Sequence, residues 1–366
     1  MGTVDEQNNV GHVDQTGCVT MAERSKTLNG VDEGSGSYRQ GYHKTNLGRW
    51  LTLFRVQSFP ISAVIVSMGY LITAETVIIG DILGLVAVAV VAHAGVNTQN
   101  DLIDYHVDMR NKEDDKPLVS GDIGFKQATF VCSVLIASSL IMSMMLFPMA
   151  TPVFGGALAS AIIYNLASST KWWSPVAFGV WGMVFSLYGI MAGSPYFDRV
   201  GLMYSLSIGM MMSSFIFYGN VIDSDTEEVS IHRILGGEVV DIEESLYFIP
   251  GEDVNEEYII IFFALWTGIL MTASVTLLGV GYAPVIIAPL MSFAAYKIIK
   301  DTCHPVELGE QLKKDFLIYV ITTCTVTLGV FSAAVGVVNT AFIILTSIIW
   351  AVVVMRSMYG RWLYFP

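Results

Sequence analysis

Charge is the scarcest thing in this sequence. Asp, Glu, Lys and Arg make up 14% of the 366 residues, the apolar and aromatic set makes up 53%, and the mean hydropathy is +0.58. So few charges cannot cover the apolar surface of a water-soluble domain of this length, which excludes that class. Cysteine is sparse as well. Cys18, Cys132, Cys303 and Cys324 show no ligand-like spacing, and two of them lie in apolar runs, so neither a disulfide framework nor a zinc site is indicated. No glycine-rich phosphate loop sits at a strand-to-helix turn, so nucleotide binding is not indicated. The net charge of −13 argues against nucleic acid as a partner, although the acids are concentrated in a few segments. Residues 1–45 have hardly any large apolar side chain and no signal-peptide core, and read as a disordered polar tail.

What the sequence does have is apolar runs of about 20 residues, the length of a helix that crosses the hydrocarbon core of a bilayer. They fall near 56–75, 82–100, 126–147, 152–168, 173–193, 199–222, 257–279, 283–300, 315–337 and 339–356. The expectation is an all-α, polytopic bundle in membrane lipid, with nine core spans in a domain over 46–337 and a tenth span with a short tail over 338–366. With that count, every Lys and Arg except Arg199 falls on one side of the membrane. The positive-inside rule makes that side cytoplasmic, together with both termini and the loops 101–125 and 223–256.

Those two loops carry acidic clusters. The first reads Asn97-Thr98-Gln99-Asn100-Asp101-Leu102-Ile103-Asp104-Tyr105-His106-Val107-Asp108. If the second span continues through it, Asn97, Asp101, Asp104 and Asp108 share one helix face. Like charges so placed repel, and a carboxylate near the apolar slab costs about 2.5–3.5 kcal/mol on insertion scales, so something positive should offset them. The second cluster runs from Asn220 to Glu228, with Asp223 and Glu227 one turn apart. Magnesium takes oxygen ligands and commonly combines one or two carboxylates with substrate phosphates. Two facing carboxylate clusters therefore suit Mg2+ ions with a diphosphate between them, and Lys112, Lys116, Lys171 and Arg233 are basic residues near enough in sequence to clamp it. The turn-forming run Pro117 to Gly121 would return Lys116 toward the mouth.

At these residues the sequence resembles the UbiA superfamily of intramembrane prenyltransferases. The family's motif Asn-Asp-x-x-Asp-x-x-x-Asp is matched by Asn100, Asp101, Asp104 and Asp108, and its downstream Lys-Pro-Leu-x-Ser-Gly element by Lys116 to Gly121. Arg55 and Pro60 lie where the family has an Arg and a Pro entering the first span, and Tyr164 and Lys171 resemble its Tyr and Lys before the fifth. The second motif is partly kept: Asp223, Glu227, His232 and Arg233 fit, but Ile231 stands in place of a Gly. The acidic stretch from Glu238 to Glu257 is not part of the family pattern.

The resemblance implies a magnesium-dependent transferase that moves an isoprenoid from a prenyl diphosphate to a lipophilic aromatic or quinone-precursor acceptor. The implied metal ligands are Asn100, Asp101, Asp104, Asp108, Asp223 and Glu227. Asn97, Asn100, Lys112, Lys116, Arg233 and Arg55 would hold the diphosphate, and Asp101, Asp104 and Lys171 would serve catalysis. The region from Gly309 to Gly329 and Asn220-Val221-Ile222 lean toward the 1,4-dihydroxy-2-naphthoate (menaquinone) branch. Two other readings stay open: a membrane terpene cyclase that needs no acceptor, and a cation-coupled transporter. Transporters place ionisable residues at mid-membrane, whereas these lie at the ends of spans.

Among smaller features, His93 lies one turn before Asn97 and reads as a partner in a polar network or as a base. Gly155, Gly156 and Gly182 read as points of close helix contact.

Overall fold

The structure, a computed structural model, describes residues 45–111, 113, 116–168, 171–196, 198–222, 237–242, 245–249 and 305–359. The polar tail up to residue 44 and the expected spans at 257–279 and 283–300 lie outside the described residues.

The chain enters through α1 (Asn46–Leu53), whose first turn is capped by the Thr45 hydroxyl accepting from the Gly48 N–H at 3.1 Å. A 3-10 turn (Val56–Ser58) leads into α2 (Phe59–Thr73), with Pro60 in its first turn, where a missing N–H costs nothing. There follow α3 (Ile79–Asn111), α4 (Phe125–Leu146), α5 (Thr151–Ser168), α6 (Ser174–Gly193) and α7 (Arg199–Ile222). A three-stranded antiparallel sheet comes next: β1 (Glu238–Ile242), β2 (Ser245–Ile249) and β3 (Val306–Glu307). The last elements are α8 (Glu310–Val335) and α9 (Val337–Tyr359).

Five stretches among the described residues are long and apolar enough to cross a membrane: Val56–Thr73, Ile79–Asn111, Phe125–Leu146, Ser174–Gly193 and Arg199–Ile222. With the family and structural relatives described below, they make this an integral membrane protein. At 33 residues α3 is about 50 Å long, well beyond the ~30 Å hydrocarbon core, so one end must project from it.

Helix α6 is central, packing against α2, α5 and α7. The approach is close where side chains are missing. A Cβ at Gly189 would overlap the Val66 carbonyl oxygen of α2, and one at Gly182 would lie 2.8 Å from Met212 of α7. Gly182 thus sits at a tight crossing, as its sequence context suggested. Gly155 does not, since nothing lies within 4 Å of the Cβ position there, and Gly156 makes only an ordinary contact to Val184 at 3.6 Å. Trp181, Phe185 and Tyr188 stack along the buried side of α6, with ring centroids 5.7 and 6.5 Å apart.

The sheet departs from the all-α expectation. In the acidic stretch, Val239 pairs with Phe248 and Val240 with Tyr247, and the Phe248 ring is fully buried in the main core. β-branched and aromatic residues favour a pleated strand, and burial of Phe248 outweighs the local charge. β3 then pairs with β2, joining two loops far apart in sequence.

Candidate functional site

The acidic face of α3 is met by a turn of unusual conformation. Arg55 adopts φ 51° and ψ 50°, the left-handed region, between α1 and the 3-10 turn. That turn points its guanidinium at α3, where Nη2 donates to Asp101 Oδ1 at 2.7 Å and to Asn100 Oδ1 at 3.2 Å. The Coulomb attraction of Asp101 holds the guanidinium pKa above its ordinary value, against the opposing effect of burial. Asp101 is buried, and Arg55 supplies the positive charge that its position demands. Asn100 then donates to Asp104 Oδ2 at 2.9 Å, and Asn97 donates to the Phe54 carbonyl at 3.3 Å. One helix face thus carries Asn97, Asn100, Asp101 and Asp104 in contact with each other or with the Arg55 turn.

The trailing element closes over the same face. The Pro117 carbonyl accepts from the Ile123 N–H at 3.0 Å, and Gly121 takes φ +75°, which glycine adopts without a Cβ clash. Leu118 and Ile123 are buried with Leu53 and Ala128, and Arg49 of α1 pairs with Asp122 at 3.0 Å. So anchored, Lys116 reaches Asp108 Oδ1 at 2.7 Å and Glu113 Oε2 at 2.6 Å. Burial works to lower the Lys116 pKa, but these two carboxylates outweigh it and the net shift is upward. The lysine's share of this stability is present below the ordinary value of 10.5, for as long as its carboxylate partners are ionised, and is lost as pH climbs through the raised one.

His93 sits one turn deeper. The Ser58 hydroxyl donates to the Arg55 carbonyl at 2.7 Å, so it must accept from His93 Nε2–H, 2.8 Å away. Nδ1 is hydrogen-bonded to the Ser62 hydroxyl. Both ring nitrogens are engaged, which makes His93 a member of this polar network. Beside it lies a cavity of about 10 Å³, the size of one water, lined by Ser62, His93, Trp181 and Phe185 among others.

Among the other candidates, Lys171 is exposed at the approach to α6, and among the described residues no ion pair joins it to the acidic face. Tyr164 lies near enough to act electrostatically on Arg55 and packs on Phe178, with centroids 4.6 Å apart. Lys112, Asp223, Glu227 and Arg233 lie outside the described residues, while Asn220 is buried near the end of α7. Sequence reasoning missed Glu113, Ser58 and Asn165. The last donates to the Val96 carbonyl and to Gln99 Oε1, tying α5 to the start of the acidic face. A polar residue in an apolar span is the signal that marks Asn165.

The donor set suits a hard cation. Asp108 Oδ2 is buried without a hydrogen-bond partner, on the same helix face as Asp101 and Asp104. Among the described residues, no three His, Cys, Asp or Glu side chains form a metal-holding group. One or two carboxylates completed by substrate oxygens is, however, the usual arrangement for Mg2+.

Residues 62–303 match the UbiA prenyltransferase family. No curated protein sequence matches significantly. Among solved structures, the fold is similar to a UbiA homologue from Archaeoglobus fulgidus bound to GPP and Mg2+. That similarity has a TM-score of 0.56 at 15% identity, covering 79% of this chain and 100% of the other. The same homologue bound to DMAPP and Mg2+ gives 0.56 and 15%, covering 79% and 99%. A structure of digeranylgeranylglyceryl phosphate synthase gives 0.54 and 18%, covering 79% and 99%.

Proposed function

Because the chain belongs to the UbiA prenyltransferase family, we propose that it transfers an isoprenoid from a prenyl diphosphate to a lipophilic aromatic acceptor, with Mg2+ at the acidic face. The carrying observation is the charge-matched contact of Arg55 with Asn100 and Asp101, on the face that also presents Asp104 and Asp108.

The allylic carbon–oxygen bond breaks, and its electron pair leaves with the diphosphate. A ring carbon of the acceptor then forms the new bond to the allylic carbon, and the ring loses a proton. When bound, Mg2+ offsets the charge of the departing diphosphate. The protein's residues prepare the site for it. Arg55 holds and aims Asp101, and Asn100 orients Asp104. Lys116 holds one oxygen of Asp108 and leaves the other open to a ligand. Lys171, with Arg233 and Lys112, is assigned to the diphosphate at the mouth. The resemblance around Asn220-Val221-Ile222 and Gly309 to Leu312 supports an acceptor of the 1,4-dihydroxy-2-naphthoate type. The distribution of Lys and Arg supports a cytoplasmic mouth.

The test is diphosphate release by detergent-solubilised protein given geranylgeranyl diphosphate and Mg2+, with and without aromatic acceptors. Release only with an acceptor supports transfer and names the acceptor class. Acceptor-independent release with a cyclic hydrocarbon product replaces transfer by cyclisation. Asp101→Ala and Asp104→Ala should each lower turnover at least 100-fold in protein that remains folded, and full activity in both variants removes the metal site from this face.

A further inference from the structure

A long-side-chain residue enters the left-handed region only where its surroundings hold it there. The Arg55 turn is held from several directions. Its N–H donates to the Thr52 carbonyl at 2.9 Å, and its carbonyl accepts from both the N–H and the hydroxyl of Ser58. The preceding carbonyl, of Phe54, accepts from Asn97. The following carbonyl, of Val56, accepts from the indole N–H of Trp350 at 3.0 Å.

That last donor comes from α9, at the far end of the chain. Helix α9 packs against α2 and against the 3-10 turn itself. Both Val56 and Trp350 lie outside residues 62–303, the part that matches the family. The indole N–H of Trp350, a residue 45% exposed, finds its acceptor on the residue that follows Arg55 in the chain. Of the α9 hydroxyl residues with described bonds, Thr346 and Ser347 bond within their own helix and Thr340 bonds to the Gly336 carbonyl just before it. Trp350 is thus the polar link from α9 to the turn among the described residues.

We propose that Trp350 is a positioning residue: through the Val56 carbonyl, the C-terminal helix holds the left-handed turn that aims Arg55 at Asn100 and Asp101, and thereby sets the affinity for the prenyl diphosphate. This inference rests on the functional reading above, in which Arg55 belongs to the diphosphate site. Loss of one neutral hydrogen bond corresponds to about a five- to tenfold change in an equilibrium constant, and the change should appear in binding rather than in the chemical step.

The experiment uses the full chain in detergent and titrates geranyl thiodiphosphate, a non-reacting probe, with Mg2+ by calorimetry. Trp350→Phe keeps a ring on α9 and removes the N–H. A second variant, Trp350→β-(3-benzothienyl)alanine, keeps the bicyclic shape and also lacks the N–H, so loss of packing is controlled. The expected result is five- to tenfold weaker probe binding and a matching rise in KM at unchanged kcat in both variants. That effect should shrink to nothing in an Arg55→Ala background. Wild-type affinity in the two variants overturns the inference, and so does an effect of equal size with and without Arg55. If the unaltered protein binds no probe, the functional reading itself fails and this inference falls with it.

Discussion

Asp101 and Asp108 have nearly the same exposure and are neutralised by different means: an arginine from before the first span in one case, a lysine from the loop after α3 in the other. The sequence made the need for such charges plain, because carboxylates on one face at the end of an apolar helix must be offset. Which basic residue answers which acid was not legible. The pairing of Arg55 with Asp101 depends on a backbone conformation that arginine rarely adopts, and nothing in the local sequence announces it. Gly121 is the opposite case, since a Ser-Gly pair closing a Pro-led turn is a readable signal. Its Cβ position is sterically open, so Gly121→Ala is a test of backbone conformation alone. The cost should be about 1–2 kcal/mol, seen as a lowered melting temperature. A melting temperature equal to that of the unaltered protein would mean that the turn accepts another conformation.

The helices were readable because apolar runs of membrane-spanning length leave few alternatives. The described boundaries of α2 through α7 follow the expected runs within a few residues, apart from α3, which continues through the acidic cluster to Asn111. The hairpin was not read. Its acidic residues masked the short β-prone runs Val239-Val240 and Tyr247-Phe248, and what stabilises it is burial of Phe248 against distant residues. Glycine gave mixed signals for a related reason: a small residue in a span shows that close contact is possible, not that a neighbour is there. Two substitutions separate these cases. Gly189→Ala drives a methyl into the Val66 carbonyl and must part α2 from α6, costing about 1–3 kcal/mol or more. Gly155→Ala meets nothing and should be neutral or stabilising by up to about 1 kcal/mol. Thermal unfolding of the two variants side by side measures the difference, and equal melting temperatures would contradict the α2–α6 packing.

At the scale of the whole molecule, the Trp350 bond places the latter half of α9 beside the entry to α2. The orientation expected from the basic residues can be tested directly. In a cysteine-free background, single cysteines introduced at Ser37 and Ser357 should react with an impermeant thiol reagent from one side of sealed vesicles, and a cysteine at the exposed Tyr196 from the other. Labelling of all three from one side would refute the orientation drawn from the basic residues. The sheet bears on the same question by a route that involves no charge at all. Leu308 donates its N–H to the Leu246 carbonyl at 2.7 Å, and Phe248 faces Val306 across the ladder. The polypeptide thus departs from this sheet after Ile249 and is back at the neighbouring rung by Val306. Phe248 and Val306, far apart in the sequence, therefore lie on one side of the bilayer, whichever side that is.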